Sequence, residues 1–185
     1  MSDHRADPST PAVDPTRVVL IDDAGTPIGT AEKASVHGAD TPLHLGFSCH
    51  VLLEDGRLLV TRRALSKRTF AGVWTNAFCG HPAPGEEFAA AARRHAQHEL
   101  GIGLGQLELA LPDFRYQATD STGIVEYELC PVFVARAVGD PMPNPEEVAE
   151  FAAVTPRDLA AALRSTPWAF SPWLVEQAKL LPLYA

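Results

Sequence analysis

With 185 residues, 46% of them hydrophobic and 21% charged, the chain suits one domain with a substantial core. Its formal net charge of −8 excludes the basic stripes that nucleic acid or an anionic membrane rewards, and no apolar run reaches membrane-spanning length, so the expected partner is a small molecule, without nucleic acid or membrane insertion. Three cysteines (Cys49, Cys79 and Cys130) make no complete disulfide framework and point to a reducing, cytoplasmic setting.

Residues 1–16 are polar, carry Pro8, Pro11 and Pro15, and lack an apolar core, so they read as a disordered tail and not as a signal peptide. Residues 17–185 are expected to form the single domain. Residues 17–22 are a short apolar run stopped by the turn-like Asp22-Asp23-Ala24-Gly25, and a second strand covers 28–33. Across 43–54 the chain alternates in part, with Leu45, Phe47, Cys49 and Val51 on one face and His44, Gly46, Ser48 and His50 on the other. Asp55-Gly56 marks a tight hairpin into a strand at 58–63. A loop at 64–73 completes a basic cluster of Arg62, Arg63, Lys67 and Arg68, and 74–79 is another strand. Residues 86–100 form the clearest helix. Glu86 and Glu87 suit its positive N-terminus, Gly101 suits its C-cap, and Phe88, Ala92, His95 and Glu99 share one face. Strands near 107–118 and 123–136 follow, joined by a polar turn, and a surface loop occupies 139–145. A strand near 148–154 and helices near 156–164 and 171–180 finish the chain. Strands and helices intersperse without βαβ regularity, which predicts an α+β fold with a mixed sheet sandwiched between helices in α/β/α layers.

Cys79 and His81, two apart on one strand, look into the same space, and Glu126 and Glu128 do likewise on another. With His37 and His44 they make a candidate shell for Mn²⁺, Mg²⁺ or Zn²⁺ beside a reactive cysteine. Each histidine taken singly is more often a surface or hydrogen-bonding residue. Spacing alone does not bring His37 near Glu128; that step needs the fold. Glu99 ends an apolar stripe and should point inward, where an unpaired carboxylate is costly. It is either a paired structural glutamate or the partner of a second cation that bridges to a substrate phosphate. Lys33 with Arg63 and Lys67 suits a phosphate clamp about as well as a solvated loop. Cys49 and Cys130 sit in apolar patterns and read as buried filler. Tyr116, Trp168, Phe170 and Trp173 are core residues by default, yet two prolines stiffen 166–173 into a rigid aromatic wall suited to an apolar or cationic group.

Gly80, Glu86, Arg94 and the run His95-Ala-Gln-His-Glu-Leu-Gly-Ile102 resemble a degenerate Nudix box, with His95 and His98 where the usual box has glutamates. Nudix pyrophosphohydrolases use those carboxylates to hold Mg²⁺ and activate water, so this box is poorly equipped for hydrolysis. Beyond the box, the chain is similar to the type 1 isopentenyl diphosphate isomerases, the isomerase branch of the Nudix fold. The runs that carry the resemblance are Thr-Arg-Arg-Ala-Leu-Ser-Lys at 61–67, Gly-Val-Trp-Thr-Asn at 72–76, Cys-Gly-His-Pro at 79–82, Pro-Asp-Phe-Arg-Tyr at 112–116, Gly-Ile-Val-Glu at 123–126 and Thr-Pro-Trp-Ala-Phe-Ser-Pro-Trp at 166–173. The resemblance implies a Nudix fold and an isomerase of isoprenoid biosynthesis. Such an enzyme converts isopentenyl diphosphate to dimethylallyl diphosphate by protonation and deprotonation through a tertiary carbocation. It implies acid–base roles for Cys79 and Glu128, with Tyr116 assisting. His37, His44, His81, Glu126 and Glu128 would hold a metal, and Glu99 would serve Mg²⁺ on the substrate diphosphate. Lys33, Arg63, Lys67 and Gly80 would contact the diphosphate, and Trp173 would face the hydrocarbon. The family often has an Arg where this chain has His95. The alternative reading is a Nudix pyrophosphohydrolase of a nucleoside or isoprenoid diphosphate, and a more distant one is a non-enzymatic metal-binding module.

Overall fold

A computed structural model describes residues 13–185. Most of the expected tail, residues 1–12, lies outside the described residues. Residues 14–16 are tied to the domain: Asp14 accepts from the Thr16 amide, and the Thr16 carbonyl accepts from Lys33.

The elements in chain order are β1 (Arg17–Ile21), β2 (Pro27–Glu32), α1 (Lys33–Val36), β3 (His44–Leu45), β4 (Phe47–Leu52), β5 (Leu58–Arg63), β6 (Trp74–Thr75) and β7 (Phe78–Gly80). Then come α2 (Phe88–Leu100), β8 (Gly103–Leu111), β9 (Arg115–Thr119), β10 (Val125–Leu129), β11 (Val132–Val138), β12 (Val148–Val154), α3 (Pro156–Ser165) and α4 (Pro172–Leu180). They build two sheets. One has the order β2-β1-β3-β10-β9. The other runs β12-β5-β4-β11-β8, with β6 beside β5 and β7 beside β4.

The second sheet is the expected mixed layer between helices. One face packs Phe47, Cys49, Val51 and Phe133 against Ala91, Ala92, Ala96 and Leu100 of α2. The other packs Leu58, Val60 and Val132 against Leu159 and Leu163 of α3 and Trp173 and Leu174 of α4. Alanines on α2 leave little side chain between helix and sheet, which permits close approach. Pro156 and Pro172 open α3 and α4, where Thr155 and Ser171 accept the amides of Asp158 and Leu174.

The first sheet was not anticipated, and it arises because three expected strands each divide. The 43–54 run breaks at Gly46, the 107–118 run at residues 112–114, and the 123–136 run at Cys130-Pro131. In each case the two halves join different sheets. Pro131 has no N–H to offer a ladder, so the break there has a direct cause. Across the junction the parallel register persists: His44 pairs with Glu128 on one side, and Ser48 with Val132 on the other. Gly46 and Ser48 keep it continuous by donating to the carbonyls of Leu129 and Pro131. One parallel pair is thus the spine from which both sheets diverge.

Helix α2 starts at Phe88, two residues later than expected. Glu86 stays outside it, accepts the Ala83 amide at 2.9 Å and pairs with Arg94 at 2.7 Å. Gly101 closes the helix with φ of 64°, the left-handed cap its position suggested.

Candidate active site

The fold carries four distant residues into one cluster. His37 follows α1, His44 lies on β3, His81 follows β7, and Glu128 stands beside His44 on parallel β10. One ligand-type atom from each lies within 4.8 Å of all the others. The Pro42 carbonyl, 2.8 Å from His44 Nδ1, accepts that nitrogen's proton and leaves Nε2 facing the cluster. His44 Nε2 is 3.2 Å from His81 Nε2, which is 3.0 Å from Glu128 Oε1. Gly46 makes room for this carboxylate: a Cβ there would lie 2.5 Å from Glu128 Cδ.

Burial pushes His37 and His81 down to about 4, so both are neutral at ordinary pH. Burial also opposes charge on His44 and Glu128, but their mutual contact overrides it. His44 is raised above its usual value, and Glu128, bonded to His44 and His81, is held well below its own. His37 Nε2 and His81 Nδ1 are buried without a hydrogen-bond partner. Two neutral imidazoles, an ionised carboxylate and an orphaned His37 nitrogen suit the state in which nitrogen and oxygen ligands receive a divalent ion. The residues fit such an ion.

Glu126 shares the strand face of Glu128 but stands outside this group of four. Its carboxylate accepts from Tyr116 OH at 2.7 Å and from the Thr69 hydroxyl. Tyr116 therefore serves Glu126, although the register of β9 and β10 sets it opposite Glu128. Burial first, and then Glu126, raise the Tyr116 hydroxyl well above its ordinary value, so it is a donor throughout.

Cys79 approaches from β7, in the other sheet. Its sulfur lies 3.2 Å from Ser48 Oγ, the residue paired with it across β4, and 3.4 Å from Asn76 Oδ1. Burial pushes the thiol up to about 12, which keeps its proton on. Beside it Trp173, 1% exposed, forms an aromatic wall with Phe70 and Tyr116 at ring-centroid distances of 5.1 and 5.4 Å. Trp168 does not join that wall: it is 83% exposed. Cys49 and Cys130 are buried in the two cores, as the apolar patterning suggested.

Lys33, Arg63, Lys67, Gly80 and Glu99 line the same cavity, of about 760 Å³. Every residue expected at the site lines it except His44, which is fully buried behind. Burial lowers the Lys33 and Lys67 ammonium groups, so an anion that restores their charge is favoured there. Lys67 meets Glu147, and Arg63 donates to the Thr69 carbonyl at 3.0 Å. The other half of the basic cluster is committed elsewhere: Arg62 pairs with Glu150 and Arg68 with the Ala34 carbonyl. Glu99 is paired, with Oε1 2.7 Å from His95 Nδ1. Gly80 lets that imidazole lie flush, since a Cβ there would sit 2.5 Å from the ring. Ser48, Thr69 and Asn76 are site residues that the sequence reading passed over. Asn76 ends one of the resembling runs, which was the available signal.

The NUDIX domain family model matches residues 42–174. The isopentenyl-diphosphate Delta-isomerase of Agromyces mediolanus is 61% identical over 178 residues, spanning 96% of this chain and 86% of the relative. That of Kocuria rhizophila is 59% identical over 165 residues, spanning 89% and 92%. Among solved structures, one from Deinococcus radiodurans aligns with a TM-score of 0.69 at 19% identity, covering 90% of this chain and 99% of that one. A MutT protein from Methanosarcina mazei aligns at 0.57 and 20% identity, covering 73% and 89%. These two show the shared fold.

Proposed function

The chain belongs to the isopentenyl-diphosphate Delta-isomerases of the NUDIX family, and from that membership we propose how its pocket turns isopentenyl diphosphate into dimethylallyl diphosphate. The reaction adds a proton at C4 and removes one from C2, with positive charge at C3 in between. The diphosphate is unchanged. An alkene is a very weak base, so the site must aim a donor at C4 and an acceptor at C2, on either side of C3.

The observation that carries this reading is that Cys79 and Glu128 reach one cavity from two different sheets. We assign the two proton transfers to this pair, one on each side of the five-carbon unit. Cys79 holds its proton through burial, and Glu128 exchanges one within the imidazole cluster. The face of Trp173 stabilises the charge at C3 by about 2 kcal/mol in a desolvated pocket. Tyr116 and Thr69 fix Glu126 and so brace the strand that bears Glu128. Lys33, Arg63 and Lys67, with the open backbone at Gly80, hold the diphosphate. When bound, a divalent ion (Mn²⁺, Mg²⁺ or Zn²⁺) on His37, His44, His81 and Glu128, with Glu126 alongside, would acidify and orient the Glu128 carboxyl, and Mg²⁺ beside Glu99 would neutralise the diphosphate. All three cysteines are free, and no helix among the described residues is long and apolar enough to cross a membrane. The free thiols suit a reducing, cytoplasmic setting.

Proton NMR of the purified, metal-supplied protein with isopentenyl diphosphate tests the reading. Dimethylallyl diphosphate is the expected product. Release of phosphate or pyrophosphate in its place would establish the hydrolase alternative.

A further inference from the structure

Asn76 lies between β6 and β7 and is 1% exposed. Its side-chain amide donates both N–H bonds, to the Cys49 carbonyl at 2.9 Å and the Phe78 carbonyl at 2.8 Å. Those two acceptors fix which way the amide faces, because the reversed orientation would set its oxygen against two carbonyl oxygens. Oδ1 must therefore point the other way. There it accepts from Trp173 Nε1 at 3.1 Å, from the Cys79 thiol at 3.4 Å and from the Thr75 hydroxyl at 2.9 Å. One oxygen, immobilised by the backbone of β4 and β7, thus holds both the sulfur and the indole.

We infer that Asn76 is a positioning residue for the isomerisation: its amide sets the Cys79 sulfur and the Trp173 ring in one fixed relation. The proton-handling atom and the surface facing the cation must address neighbouring carbons of one small substrate. A misplacement of about 1 Å at such a site is enough to cost about 100-fold in rate. The substrate offers its hydrocarbon end only van der Waals contact, so the alignment has to be built into the protein. This inference rests on the roles proposed above for Cys79 and Trp173.

The test is Asn76→Ala, assayed for kcat and KM beside Cys79→Ala, with the Trp173 indole N–H followed by ¹H–¹⁵N NMR. Folded Asn76→Ala should lose about 100-fold in kcat. KM should stay near the wild-type value, because no residue assigned to the diphosphate is touched, and the indole resonance should shift. A folded variant with wild-type kcat, or one whose kcat falls while the indole resonance stays in place, overturns the inference. Trp173→Phe keeps a ring and removes the N–H, so it still exposes the inference to refutation if Asn76→Ala does not fold. Its kcat should fall, and wild-type kcat overturns the inference. Where both variants fold, the combined loss should fall short of the product of the single losses, and full independence overturns it. Activity in Cys79→Ala would instead remove the role of Cys79 itself. A dead Cys79→Ala beside an active Asn76→Ala would remove only the positioning role.

Discussion

The two flanks of the cavity solve opposite problems. Around Cys79 the thiol, the Ser48 hydroxyl and the whole Asn76 amide are bonded to neutral partners, and the sulfur keeps its proton. Around Glu128 the carboxylate is bonded to His81, yet His37 Nε2 and His81 Nδ1 have no partner, and two of the three imidazoles are forced neutral. A flank closed by hydrogen bonds is complete in the protein alone. A flank of unpartnered lone pairs around an ionised carboxylate is built for a cation, since buried polar atoms are otherwise costly. The acid–base chemistry proposed above uses one group of each kind.

If both flanks handle protons, Cys79→Ala and Glu128→Gln should each lower kcat by about 10³-fold or more in the NMR assay. Wild-type turnover in either would remove that side from the chemistry. Gly46→Ala attacks the cation-ready flank alone, because the new Cβ displaces the Glu128 carboxylate. Turnover should drop about 100-fold together with Mn²⁺ affinity measured by calorimetry, and retained affinity would contradict the assigned ligand role.

The metal-stripped protein should also show the strain of that flank. His37 and His81 titrate near 4 when folded, against an ordinary value of 6.5. The unfolded chain therefore binds their protons more readily, and stability contributed above pH 6.5 is lost as pH falls towards 4. His44, raised in the folded state, works the other way and offsets part of the loss. Urea unfolding with chelator present should accordingly give a shallower pH slope for His37→Asn than for wild type. Cys49→Ala leaves the carbonyl that anchors Asn76 in place and alters only a side chain packed in the core beside α2, so it should cost only about 1 kcal/mol in stability with kcat nearly unchanged. A large loss of activity there would blur the distinction between Cys79 and the buried thiols.

Local periodicity already revealed α2, α3, α4, the hairpin at Asp55-Gly56 and the left-handed cap at Gly101, because each depends on residues within a few positions of one another. The matched runs also named part of the cavity lining, Cys79, His81, Tyr116 and Trp173 among it. What they missed follows one pattern. Trp168 and Trp173 are both aromatic in the same stiff segment, yet one is exposed and the other buried. Glu126 and Glu128 share a strand face, yet one answers Tyr116 and Thr69 while the other joins the imidazoles.

The three strands that divide make the same point about the fold. Alternation along 43–54 is uninterrupted through Gly46, and nothing nearby says that its halves hydrogen-bond into different sheets. That depends on β10 and β11 arriving some eighty residues later, in step with β3 and β4. Residue types, their local elements and the chemistry they are capable of could be read along the chain. Which of those groups meet, and which nitrogens are left without a partner, depends on long-range pairing and burial, because neither leaves a periodic trace in the order of the residues.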